Sequence, residues 1–299
     1  MKKILIVSLL IVLLLLSGCN KQGTSLNFAV EMNDHAAAAY IAKYNRDFAK
    51  YGIKVSSFNQ YATGMALSAA LSRGDINVGY VCVVPAILAY ARGVPIKIVT
   101  LTHKYGYELV TAKNINSVKE LDGKLVACPG EGSSANLIMK ITEEKFNVKF
   151  NTLRTKPLME IGAMEKGSVK AAFIPEHYAS ILVSKGFKIL LKSQDVVPDM
   201  PGSCIVVKDD LLNKEPEAIK NLIRLTKKET EFINENREDA AKIVAKYLNC
   251  SPDIIEYSMG NLKYTDKIEE ERIQYLIDKL AELGYVRKFN AKDILWDGK

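Results

Sequence analysis

Histidine is scarce in this sequence: three residues among 299, beside 41 lysines and arginines and 34 acids. None of the three has the i, i+4 spacing of a helical metal site, and no Cys-x-x-Cys pair accompanies them. Glycine-rich turns are present, yet none runs into Gly-Lys-Ser or Gly-Lys-Thr, which excludes a nucleotide-type phosphate loop. No serine stands in a nucleophile elbow, and no carboxylate pair is marked out by a motif. Low-complexity linkers and short-period repeats are also missing. Charges of both signs are interspersed, with a net of +7, so the surface is a solvated one and not a nucleic-acid stripe. The sequence therefore offers no catalytic, metal or cofactor constellation, and no nucleic-acid partner is expected.

Only one long apolar run exists, and it opens the chain. Lys2 and Lys3 precede Ile4 to Leu16, which Ser8 alone interrupts. That is short of the ~20 residues a spanning helix needs, and it has the length of a signal-peptide core. Leu16-Ser17-Gly18-Cys19 resembles the lipobox of bacterial lipoproteins. The resemblance implies removal of residues 1 to 18, a diacylglycerol on Cys19, and residues 19 to 25 as a tether to the cell membrane. Four further cysteines, Cys82, Cys128, Cys204 and Cys250, match no zinc or redox spacing. An exported protein could pair them, and sequence does not choose a pairing. Cys82 and Cys128 lie in apolar, strand-like runs, so free, buried thiols are expected.

From Leu26 onward short β-rich runs alternate with helical patterns, the signature of an α/β fold. Strands are expected at Leu26 to Val30, Ile53 to Phe58, Asn77 to Val81 and Ile96 to Thr102. After Tyr107 the grammar restarts, with strands at Lys124 to Cys128, Phe150 to Leu153, Ala171 to Ile174 and Lys188 to Lys192. Gly202 to Lys208 reads as an extended crossing segment. From about Glu215 to Leu283 the chain reads as helix almost throughout, without strand signals, and those helices should pack back on the first lobe.

Several segments together resemble the nitrate/sulfonate/taurine-type periplasmic binding proteins, including their pyrimidine-binding branch. They are Ala70 to Gly79 (ALSRGDINVG), Gly93 to Val99 (GVPIKIV), Ser117 to Ala127 (SVKELDGKLVA) with Pro129 to Ser134 (PGEGSS), Pro175 to Ala179 (PEHYA) and Glu215 to Lys220 (EPEAIK). The resemblance covers roughly residues 26 to 290. It implies the two-lobed type II periplasmic-binding-protein fold, with two crossings near His103 to Tyr107 and Gly202 to Ile205. Lobe one would comprise 26 to 105 and 205 to 299, and lobe two 106 to 204. It also implies a monomeric solute-binding protein, not an enzyme, that hands a small anion of the sulfonate, taurine or nitrate range to an ABC importer's permease and ATPase. Other readings are a nitrogen heterocycle held between Tyr61 and Glu176, a pyrimidine-synthesis or dehydratase enzyme on the same scaffold, and a sensor without transport.

Ligands in open α/β sheets sit beyond the carboxyl ends of strands, where helix N-termini present unpaired N–H groups. Two turns suit this, Thr63-Gly64 in lobe one and Gly130 to Ser134 in lobe two, with hydroxyls of Thr63, Ser133 and Ser134 as added donors. Plain N-capping is the competing role for those hydroxyls. His35, His103 and His177 all follow expected strands and so fall near the cleft mouth. Asn33, Tyr61, Cys82 and Glu176 complete the expected ligand-binding set.

Overall fold

The computed structural model describes residues 25–298. The expected signal segment and the lipid attachment at Cys19 lie outside the described residues. Among those described, no helix is long and apolar enough to cross a membrane.

The chain starts with β1 (Leu26–Glu31), a 3-10 turn, α1 (Ala37–Tyr44), α2 (Asp47–Lys50), β2 (Val55–Tyr61) and α3 (Gly64–Arg73). Next come β3 (Val78–Cys82), α4 (Val83–Ala91) and β4 (Ile96–Tyr105), and then β5 (Tyr107–Thr111) and β6 (Leu125–Cys128). There follow α5 (Ser134–Phe146), β7 (Asn151–Arg154), α6 (Pro157–Glu165), β8 (Ala171–Pro175), α7 (Tyr178–Ser184) and β9 (Lys188–Lys192). The last part holds β10 (Pro201–Lys208), α8 (Asp209–Lys214), α9 (Pro216–Glu235), α10 (Arg237–Leu248), α11 (Pro252–Met259), β11 (Leu262–Tyr264), α12 (Glu270–Glu282) and α13 (Ala291–Ile294).

These strands form two sheets, one in each lobe. The first runs in the order β11-β4-β10-β3-β1-β2, the second β7-β6-β8-β5-β9. In both, the central strands that feed helices are parallel: β1 with β2 and β3, and β6 with β7 and β8. That parallel core is why their carboxyl ends, and the helix starts that follow, gather on one side of each sheet. Local signals place the ends of the elements. Gly74 stops α3 and Asn147 stops α5, both left-handed at φ 80° and 50°. Along α9, Ile219, Leu222, Leu225, Thr226 and Ile233 are buried at helical spacing, and this face packs back on lobe one, where it contacts α1.

Three expectations need correcting. The second crossing is not Gly202 to Ile205. Those residues lie inside β10, which pairs antiparallel with β3 (Ser203 opposite Cys82) and with β4 (Cys204 opposite Leu101). The chain leaves the second sheet after Lys192 and joins the first at Pro201, so residues 193–200 make the crossing. An extended apolar run looks the same whether it bridges lobes or fills a sheet; only its distant partners decide. The helical C-terminal part also contains β11, whose three residues pair with His103 to Tyr105, too short for a period to show. Tyr107–Thr111, which carried no strand expectation, is buried throughout and joins β8 to β9.

The first crossing is a single residue, Gly106, at φ 85°, preceded by Tyr105 at φ 69°. A Cβ on Gly106 would stand 2.9 Å from His35 Nε2 and 3.2 Å from Leu262 Cδ2. Gly202 is equally confined: a Cβ there would run into the His103 ring and lie 2.8 Å from the Tyr105 carbonyl oxygen. Gly162 in α6, by contrast, has nothing within 4 Å of the same point. Gly202→Ala should therefore lower the unfolding free energy by about 1–3 kcal/mol, as overpacking does. Gly162→Ala should raise it by about 0.5–1 kcal/mol through helix propensity. Urea unfolding of both variants checks the pair of signs.

Candidate functional site

The carboxyl ends of β1, β2 and β3 face those of β6 and β8 across a narrow cleft. Its lining includes Glu31, Asn33, Thr63, Gly64 and Cys82 from lobe one, and Tyr107, Ser133, Ser134, Pro175 and Tyr178 from lobe two. The enclosed space is about 30 Å³, room for a water or two on a measure where one needs about 10–15 Å³. The lobes are drawn together here. Tyr178 of lobe two donates to the Met32 carbonyl of lobe one at 2.6 Å, so a solute of several heavy atoms is admitted only when the sheets part.

Glu31 dominates the lobe-one wall. Its Oε1 accepts the Cys82 N–H at 2.6 Å, with the Gly64 N–H and the Asn33 amide as further donors. The first two are the opening N–H groups of α3 and of the turn into α4. Gly64 is needed for this approach, since a Cβ there would lie 2.5 Å from Glu31 Oε1. Burial raises the Glu31 carboxyl above the ordinary range, while the Cys82 thiol and those three donors pull it back. Asn33 is buried and its Oδ1 has no protein partner. Thr63 caps α3 by accepting the Ala66 N–H at 3.2 Å. Thr63 and Gly64, expected to meet a ligand anion, both lie on the cavity lining, and there the Gly64 N–H is taken by the Glu31 carboxyl. Its signal is an acid closing a strand that is apolar but for Asn27 (Leu26-Asn27-Phe28-Ala29-Val30-Glu31), and the expected strand stops one residue short of it.

On the lobe-two wall the two serines separate. Ser133 caps α5, accepting the Asn136 N–H at 3.0 Å and donating to the Gly130 carbonyl at 2.8 Å. Ser134 lines the cavity and is buried; its Oγ lies beside the Tyr107 hydroxyl without making a well-formed hydrogen bond among the described residues. Gly130 is at φ 99° and Gly132 at φ 87°, and this turn brings the first N–H groups of the thirteen-residue α5 to the cleft.

The histidines and Glu176 are not on the cavity lining; they form a buried layer at the hinge behind it. His35 Nε2 lies 3.1 Å from the Gly106 carbonyl oxygen, and the His35 and His103 rings are 4.3 Å apart. His103 Nδ1 meets the Lys104 carbonyl at 3.2 Å, and the His177 ring lies on Tyr178. Burial holds His103 down to about 3 and His177 to about 4, and pushes His35 well below its ordinary value, so all three are neutral. Glu176 is fully engaged, accepting from Ser180 Oγ at 2.7 Å, Asn261 at 2.8 Å and Ser258 at 3.1 Å. Ser258 also meets Asp34 at 2.5 Å, so one hydroxyl from α11 bridges a lobe-one and a lobe-two carboxyl. Following a strand places a residue at the right edge of a sheet but not on its open side, which is why these four were assigned to the cleft. Tyr61 likewise stands outside the cavity lining. Cys82, Cys128 and Cys204 are free and buried, and Cys250 is free and half-buried.

Residues 20–249 match the NMT1-like family. The chain belongs to that family. The taurine-binding periplasmic protein of Escherichia coli (strain K12) is 26% identical over 208 residues, a match spanning 67% of this chain and 64% of that protein. The periplasmic aliphatic sulphonate binding protein of Escherichia coli superposes with a TM-score of 0.79 at 20% identity, over 91% of this chain and 97% of that one. The ligand-binding component of an ABC-type import system from Staphylococcus aureus, solved with zinc bound, gives 0.82 at 18% identity, over 91% and 96%. These neighbours share the two-lobed fold expected from the sequence.

The hinge layer makes stability depend on pH. Asp34 is pushed up from 3.8 to about 8, by burial first and then by the Glu176 charge. A carboxyl that holds its proton more tightly when folded contributes stability in full below pH 3.8 and loses it as pH rises through about 8. The buried histidines have the opposite sign, losing stability as pH falls below 6.5. Between pH 6.5 and 8, above the histidine window, the wild type should lose stability relative to Asp34→Asn by at most about 1.4 kcal/mol per pH unit. Paired urea titrations across that range measure the difference; parallel curves would refute it.

Proposed function

We propose that this protein is the extracytoplasmic solute-binding component of an ABC importer, capturing a small anion of the sulfonate, taurine or nitrate range between its lobes. The observation that carries the reading is the cavity between two sheets with an unpartnered buried polar atom on each side, Asn33 Oδ1 and Ser134 Oγ. Among the described residues these are the two unpartnered buried side-chain polar atoms on the cavity lining, so they argue for a solute that supplies a partner. A solute touching both walls stabilises the closed state by its differential affinity. The closed shape is what the permease and ATPase complex then meets. Lobe one moves as 26 to 105 with the chain from Pro201 onward, and lobe two as the part between. The protein acts as a monomer, tethered to the membrane through a lipid on Cys19, and binds without turnover: the Cys82 thiol on the lining faces His35 Nδ1 at 3.9 Å, but burial raises the thiol well above its ordinary value and so opposes a thiolate nucleophile. The heterocycle reading has less support: Glu176 is occupied by Ser180, Ser258 and Asn261, and neither it nor Tyr61 is on the lining.

Native mass spectrometry of freshly purified protein should find one small solute per chain, and added solute should be recovered unchanged while small-angle scattering records compaction. Steady release of a product would replace this reading with an enzymatic one. Within the same experiment Ser133→Ala should lose about 1 kcal/mol of stability. Ser134→Ala should instead lose about tenfold in affinity. The anchor is tested separately: Cys19→Ala should abolish acyl labelling and leave the leader uncleaved.

A further inference from the structure

Glu31 changes what the cleft can hold. A helix start draws an anion because its N–H groups are unpaired, yet the Cys82 and Gly64 N–H groups already point at the Glu31 carboxylate. An oxyanion brought to this wall would meet a buried negative group at close range, in surroundings that screen little. The wall offers acceptors instead. Four donors reach Glu31, the Cys82 thiol and N–H, the Gly64 N–H and the Asn33 amide, so its charge stands behind one open acceptor, the buried and unpartnered Asn33 Oδ1 beside it. The opposite wall has the other sign. There α5 begins with no acidic residue in its first turn, Ser133 is consumed as the cap, and the Ser134 hydroxyl is buried and unpartnered on the lining.

We propose that the cleft is polarised, with Glu31 and Asn33 receiving an ammonium or N–H group of the solute while Ser134 and the start of α5 receive its oxyanion. The substrate class is then a short zwitterion carrying both groups, and a bare anion such as nitrate or an unsubstituted alkanesulfonate is a poor ligand. This rests on the solute-binding reading above and gives that site a direction: Glu31 selects, and the lobe-two turn holds the charge common to the whole anion range.

Calorimetry on the full chain with taurine, ethanesulfonate and nitrate tests it, since ethanesulfonate is taurine without its amine. Taurine should bind at least about tenfold more tightly than ethanesulfonate, the loss expected for one charge-assisted hydrogen bond. Glu31→Gln should remove most of that preference while leaving ethanesulfonate binding unchanged or improved, because it deletes the charge that opposes a bare anion. Asn33→Ala, which removes an acceptor but no charge, should weaken taurine in the same direction by less. Should Glu31→Gln unfold, the wild-type ranking and Asn33→Ala still decide. Ethanesulfonate binding within about twofold of taurine would overturn the polarity while leaving the solute-binding reading intact. Binding of none of the three would overturn both.

Discussion

The carbonyl of Gly106 is the joint on which the two lobes are hung. It accepts from His35 Nε2 at 3.1 Å on the lobe-one side and from the Glu176 N–H at 3.0 Å on the lobe-two side. Both donors must reach one oxygen, so the backbone turns sharply through left-handed values at Tyr105 and Gly106, and no side chain fits at the second position. Neutral His35 is required for its part. With Nε2 carrying the proton, Nδ1 is left to face the Cys82 sulfur at 3.9 Å, and burial among His103 and His177 keeps the ring uncharged. Cys82 in turn gives its N–H to Glu31. The hinge and the cleft wall are thus one connected set of contacts, and the histidines belong to its frame.

How far this was legible follows from the range of each interaction. The alternating pattern of strands and helices, the turn at Gly130 to Ser134 and the start of α3 are set by neighbours a few residues away, and the sequence displays them directly. Ser133 and Ser134 were both visible as candidates, but which one caps and which one faces the cavity depends on the helix phase to a single residue. The position of β10 was not legible, because Gly202 to Lys208 is equally good as a bridge or as a strand until its partners at Cys82 and Leu101 are known. The histidines were misplaced for the same reason. A strand end fixes the edge of the sheet, while the side on which the cleft opens depends on how two distant sheets meet. Glu31 shows the reverse case: the residue stood in plain view at the end of β1, and its importance came from two helix starts that converge on it from positions 64 and 82.

A closing cleft works only if its open and closed states are near in energy, and its hinge carries buried acids. Asp34 from lobe one and Glu176 from lobe two share the Ser258 hydroxyl, while Glu108 lies wholly buried with neither oxygen partnered. Burying carboxyls is costly unless they are bonded or protonated, and all three have their proton affinity raised by burial. Such a layer is a standing cost of the hinge, whereas the Tyr178 bond to Met32 holds the two lobes together. A solute has to contribute only a modest differential affinity to decide the outcome, since moving an equilibrium from 1:99 to 99:1 takes about 5.5 kcal/mol, within reach of two or three charge-assisted hydrogen bonds. A cleft with opposite polarity on its two walls supplies those bonds only when both walls are engaged at once, which ties closure to the complete solute and not to half of it.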